Sequence, residues 1–161
     1  MNRILSGALA LVLTLSPIAA FAHDVVTLGA LEISGAFSRA TLPNAPVGAG
    51  YLTITNRGTA DDTLVSATSP VAGVTQIHEM KMEGDVMKMN EVEGGLVIPA
   101  GQSVTLEPGG FHIMFMELKQ AFVEGSMVPV TLTFANAGTV EVELMVGPIN
   151  ADEPNHDMSG T

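Results

Sequence analysis

The sequence predicts an all-β domain, a sandwich or barrel, on three observations. Apolar or alternating runs of four to ten residues recur along the chain, turn-forming clusters separate them, and no stretch carries a convincing helical period. The runs occupy 25–34, 50–55, 63–68, 74–82, 86–90, 103–106, 111–117, 128–134 and 139–146. Between them stand Asn56-Arg57-Gly58, Glu83-Gly84-Asp85, Glu93-Gly94-Gly95, Pro99-Ala100-Gly101, Pro108-Gly109-Gly110 and Asn136-Ala137-Gly138. Glycine and asparagine reach backbone angles that other residues avoid, and proline lacks a ladder donor, so these clusters end strands. A single helical turn is the most that 118–125 would hold. Regular strand spacing with such punctuation is the pattern of β-sandwiches and barrels.

The N-terminal residues set the expected compartment. Asn2 and Arg3 give a short positive start, residues 4–19 form an almost unbroken apolar run, and Ala20-Phe21-Ala22 has the small-x-small form of a signal-peptidase site. Pro17 and that site argue for cleavage after Ala22 rather than a retained membrane helix. The expected organisation is therefore a signal peptide over 1–22, one β-domain over 23–149 and a flexible polar tail over 150–161. The mature chain is expected to be periplasmic, with no membrane insertion.

Charge and cysteine usage exclude several functions. Beyond Ala22, seventeen acidic residues face five basic ones, a net charge of about −12. Phosphate would be repelled, so nucleic acid is not an expected partner. The chain has no cysteine. That removes thiol catalysis, disulfide exchange, thiolate zinc sites, iron–sulfur clusters and the thiolate of a blue-copper electron-transfer site.

Chemistry is concentrated in the methionines. Six of the nine that follow the signal, Met80, Met82, Met87, Met89, Met114 and Met116, fall in two short segments, led by His78 and His112. Residues two apart on a strand share a face, so His78, Met80 and Met82 point the same way. A two-residue turn at Gly84-Asp85 would set Met82 opposite Met87, Met80 opposite Met89, and His78 opposite Glu91. In the second segment Phe111, Ile113 and Phe115 take one face, and His112, Met114 and Met116 take the other. Methionine also fills irregular cores, and one such strand alone would read as packing. Two of them, each with a histidine, point instead to a metal.

Thioether sulfur is soft and neutral, and with neutral imidazole it selects Cu(I) over zinc, magnesium or calcium. Such ligands cannot be lost to disulfide formation, and only the imidazoles make binding pH-dependent.

The order His78, Met89, His112-Ile113-Met114 resembles the His-x10-Met-x21-His-x-Met signature of the periplasmic copper chaperones of the PCu(A)C family. Here the intervals are ten and twenty-two residues. The stretches GYLTITN from Gly50, GGLVIPAG from Gly94 and PGGFHIMFMELKQ from Pro108 are similar to that family as well, so the resemblance covers nearly all of the mature chain. It implies a cupredoxin-like Greek-key fold in a single domain, one Cu(I) held by His78, Met89, His112 and Met114, and no enzymatic activity. The implied partner is a copper-accepting protein, a cytochrome oxidase subunit or another copper chaperone. The family usually has tryptophan in a Pro-Trp-Ala-Arg-like stretch where this chain has GAFSRAT, with Phe37 in the corresponding place.

Three further features lie outside that signature. His23 at a new N-terminus would offer an amine and an imidazole to Cu(II), although most histidines at a processing site are incidental; His156-Asp157-Met158 repeats the His-x-Met spacing and reads first as solvated tail, with a secondary Cu(II) site as the alternative. Two alternative functions follow: copper storage or tolerance with the same ligands, or a copper oxygenase built on a His23 brace. Met80, Met82, Met87 and Met116 read equally as packing or as ligands during exchange.

Overall fold

A computed structural model describes residues 25–154 of the protein; the expected signal peptide, His23, His156 and Met158 lie outside them. Eleven strands form in chain order: β1 (Val26–Leu28), β2 (Leu31–Arg39), β3 (Val47–Asn56), β4 (Asp62–Thr68), β5 (Ala72–Glu83), β6 (Val86–Glu91), β7 (Leu96–Ile98), β8 (Ser103–Leu106), β9 (Phe111–Leu118), β10 (Met127–Phe134) and β11 (Gly138–Gly147). No helix occurs among the described residues, and 118–125 holds only bends and a turn. The strands hydrogen-bond in the order β6-β5-β9-β3-β2-β11-β10-β4-β7, with β1 added to β2 and β8 to β3. Every pairing is antiparallel except β11 with β2.

β3 is the seam of the fold. Val47 to Gly50 pair with β9, while Leu52 to Thr55 pair with β8, so one edge of β3 serves two strands. The sheet folds over a core in which Ile33, Ile54, Leu64, Ile113, Phe115 and Leu132 are fully buried. Two glycines let the layers approach. A Cβ on Gly50 would lie 2.6 Å from Leu144 Cδ1 and 2.9 Å from a Phe115 ring carbon, and one on Gly48 would lie 2.7 Å from the Phe122 ring. Real side chains do not tolerate such distances in a close-packed interior.

Most of the expected strands form within a residue or two of their expected ends, and β8 coincides with its expected run. Three differences have local causes. The run at 25–34 is broken by a turn at Gly29, whose φ is +58°, into β1 and β2. β3 begins at Val47, because small Gly48 and Ala49 carry the ladder to β9 without an apolar signal. β7 has three residues, too short for alternation to register. A bulge interrupts the β2–β3 register between Ser34 and Phe37, with Gly35 at φ +61°. It leaves Phe37 and Ser38 both buried. Phe37 packs on Tyr51 at 4.9 Å between ring centroids.

Candidate metal centre on the β6-β5-β9-β3 face

The site is a consequence of register. Glu83 pairs with Val86 across Gly84-Asp85, and Gly84 alone of the two turn residues has a positive φ, as a type II′ turn requires. Met82 then faces Met87, Met80 faces Met89, and His78 faces Glu91, the register expected from the turn. On its other edge β5 pairs with β9, setting His78 opposite His112 and Gln76 opposite Met114. All these residues share parity and therefore one face. Ile77, Ile113 and Phe115 occupy the reverse face in the core.

The two imidazoles meet across the strands, with ring centroids 5.8 Å apart and planes inclined at 55°. Met80, Met89, His112 and Met114 line one open pocket of about 280 Å³, walled on its far side by Arg39 and Tyr51. His78 stands beside it, in contact with the His112 ring. Of the four residues expected as ligands, three line the pocket and the fourth adjoins it. Met82 and Met87 lie further out toward the hairpin tip, and Met116 sits between Val47 and Val74 on the neighbouring row.

Hydrogen bonds leave each ring one nitrogen to spare. His112 Nδ1 lies 3.2 Å from the Gly110 carbonyl, to which it donates, so its lone pair is on Nε2. His78 Nε2 lies 3.0 Å from Gln76 Oε1, which accepts its proton. That puts the His78 lone pair on Nδ1, a buried atom without a hydrogen-bond partner among the described residues. An unpaired buried nitrogen costs about 1–3 kcal/mol unless something satisfies it, and a lone pair needs a proton donor or a metal. His112 is only 3% exposed. Its pKa is lowered by desolvation, opposed by the Gly110 hydrogen bond and reinforced by the nearby His78. The ring is thereby held neutral, the form that ligates metals.

Reasoning from the sequence did not single out Gln76, Tyr51 or Arg39. Gln76 was within reach of it, being two residues before His78 on the same face. Arg39 was not. Its Nε donates to the Ala151 carbonyl at 2.7 Å, its guanidinium pairs with Asp152 at 2.7 Å, and it lies 5.8 Å from the Tyr51 ring centroid. The first residues of the expected tail are thus held beside the pocket, through contacts more than a hundred residues apart in sequence. Among the described residues no three histidine or carboxylate side chains converge, so this face offers sulfur and imidazole rather than clustered oxygen.

The sequence matches the family model "Putative lipoprotein LpqE-like" over residues 31–146. The chain belongs to the LpqE-like family. A curated relative, "Putative lipoprotein Lxx21020" of Leifsonia xyli subsp. xyli, is 34% identical over 108 residues, a match covering 67% of this chain. The matched part spans 65% of that protein, just under two thirds of its length. Among solved structures, the copper-bound PCuAC domain from PmoF2 superposes on this LpqE-like chain with a TM-score of 0.66 at 22% identity, covering 78% of this chain and 98% of that one. The Cu(I) form of DR1885 from Deinococcus radiodurans gives a TM-score of 0.60 at 29% identity, covering 80% and 83%. The fold of this LpqE-like protein is thus that of the PCuAC domains, all-β and cupredoxin-like, as the sequence resemblance implies.

Proposed function

We propose that this LpqE-like protein is an exported copper chaperone that carries Cu(I) as cargo on His78, Met89, His112 and Met114 and passes it to an acceptor protein. The observation that carries this reading is the pairing of the His78 and His112 rings at 5.8 Å on a methionine-lined face, with His78 Nδ1 buried and unpartnered among the described residues. The donor chemistry fits a soft monovalent ion: two neutral imidazoles and two thioethers leave the complex with a single positive charge. The Cu(I) form of DR1885 and the copper-bound PmoF2 domain support the choice of metal. Cupredoxin electron transfer lacks its thiolate in a chain without cysteine.

Transfer then proceeds by ligand exchange. An acceptor's imidazole, thioether or thiolate displaces one donor at a time, so no free ion is released. The proposed acceptor is a cytochrome oxidase subunit or another copper chaperone, met in the periplasm. The proposed route there is cleavage after Ala22, where an apolar run ends in the small-x-small form of a signal-peptidase site. The proposed organisation remains a signal over 1–22, the copper-binding domain over 23–149 and a tail over 150–161.

Anaerobic titration with Cu(I) against a competing chelator tests the reading. One tight equivalent is expected, weakened by about a hundredfold or more by His112→Ala or by Met114→Ala, since losing even an outer-shell partner of a ligand costs about 10–100-fold. X-ray absorption of the Cu(I) form should count two sulfur and two nitrogen neighbours. Absence of specific binding, or a shell made of oxygen, overturns it. Delivery of the ion to an apo oxidase domain separates a chaperone from a storage protein.

A further inference from the structure

Residues 81–91 are all exposed. The tip of the β5–β6 ribbon nonetheless carries Met82 at 53% exposure and Met87 at 48%. An ordinary solvent-facing edge ribbon would place threonine or charge there. Its own reverse side does so, with Lys81 directly opposite Lys88 and Lys88 paired to Glu83. Core packing therefore does not account for these thioethers.

Geometry also brings them together in pairs. The two-residue turn makes Glu83 with Val86 a hydrogen-bonded pair, so by alternation Met82 with Met87, and Met80 with Met89, are non-hydrogen-bonded pairs. In such pairs the opposed side chains come closest. The Met80 amide, which donates to the Gly110 carbonyl at 3.0 Å on the β9 side, has the phase this requires. Successive rows on the face lie about 7 Å apart. The order from the tip inward is Met82 with Met87, then Met80 with Met89, then His78 with His112.

We propose that Met82 and Met87 form a second Cu(I) site, a weak two-thioether port through which the ion enters and leaves the His78/His112 centre by way of Met80 and Met89. This deepens the copper reading above and rests on it. Each move exchanges dative bonds: the bonds from copper to the Met82 and Met87 sulfurs break as bonds to the Met80 and Met89 sulfurs form. The ion keeps its single charge, and neither proton nor electron moves. Two neutral donors leave coordination positions open for an acceptor's ligand, at a projecting edge strand an acceptor can reach. Buried His112 offers no such approach.

The test uses the full chain with carbon-13-labelled methionine methyls, titrated with Ag(I) as a redox-inert probe and then with Cu(I). The first equivalent should shift the Met89 and Met114 methyls, and the second those of Met82 and Met87. Met127 and Met145 supply an internal control, being another exposed and directly opposed pair with neither a second methionine row nor a histidine beside it among the described residues. Their methyls should stay in place. The double variant Met82→Leu/Met87→Leu keeps the bulk and loses the sulfur. It should hold the tight equivalent within about twofold of wild type while slowing copper transfer to a chelator about tenfold. Tip methyls that do not move, or move no more than those of Met127 and Met145, overturn the port, as does wild-type transfer by the double variant. Loss of the first equivalent in the wild-type chain, with Met89 and Met114 unshifted, would instead overturn the copper reading itself and the port with it.

Discussion

Along β10, Val128, Val130, Leu132 and Phe134 are buried and alternate with outward residues, and β11 answers with Val142, Leu144 and Val146. Along β6 no residue is buried, although Val86, Met87 and Met89 are as apolar as their counterparts in β10. Both ribbons are antiparallel and both turn through glycine, yet burial of one face explains the composition of only the first. The difference is a way to find candidate sites: successive rows of apolar side chains that the core does not need, running up to a pair of histidines, mark a surface with a use other than packing.

The largest expected effect breaks that comparison if it fails. Leu132→Ala should destabilise the protein by about 2–5 kcal/mol in urea unfolding, the range for emptying a fully buried leucine site. Met87→Ala should stay within about 0.5 kcal/mol, the range for an exposed position without special contacts. A Met87 cost approaching that of Leu132 would mean that the ribbon tip is packed, and the argument from exposure would fall.

The β5–β6 register was legible because turn chemistry fixes it. A Gly-Asp pair between alternating runs allows a two-residue loop, and once the loop length is set every cross-strand partner follows. Alternation in 111–117 likewise separates Ile113 and Phe115 from His112 and Met114. Other features had no local signal. Pairing of β5 with β9, which sets His78 against His112, joins segments more than thirty residues apart. No periodicity in either segment specifies that neighbour. The Arg39 bonds to Ala151 and Asp152 follow the parallel pairing of β11 with β2, which sets Gly147 beside Arg39. The resemblance in His and Met spacing implies what periodicity lacks, by assigning residues of both segments to one proposed ligand set.

A smaller effect sharpens the contrast at the far end of the core. Asp62 is buried, and burial alone would raise its pKa; hydrogen bonds from the Asn136, Thr63 and Ala137 amides overcome that and hold the carboxyl below its ordinary value. The folded state therefore prefers the carboxylate. Its contribution is present above the ordinary carboxylate range and is lost as pH falls through the lowered pKa. Asp62→Asn should remove that acid dependence and cost about 1–3 kcal/mol at neutral pH, as amides lose a charged acceptor. Denaturation of both proteins across the acid range checks the sign.

The smallest effect belongs to the histidine end, where it begins at a higher pH. Desolvation, with the His78 ring adding to it, lowers the His112 pKa below 6.5 despite the Gly110 hydrogen bond. Between that lowered value and 6.5 the unfolded chain binds the proton and the folded chain does not, so stability without copper should decline as pH falls through this window. Above it, His112 contributes no slope. His112→Gln should flatten that segment of the stability curve while leaving the Asp62 segment intact. With copper present, the same lowered pKa makes the proton a poorer competitor for Nε2, and the thioethers do not titrate at all. Cu(I) affinity should then hold to a lower pH than that of an imidazole with an ordinary pKa, measured by chelator competition at each pH. Affinity that falls in step with an unshifted imidazole would mean that the ring opens to water when the metal binds, so that burial of the ligand and its neutrality are not linked in the loaded protein.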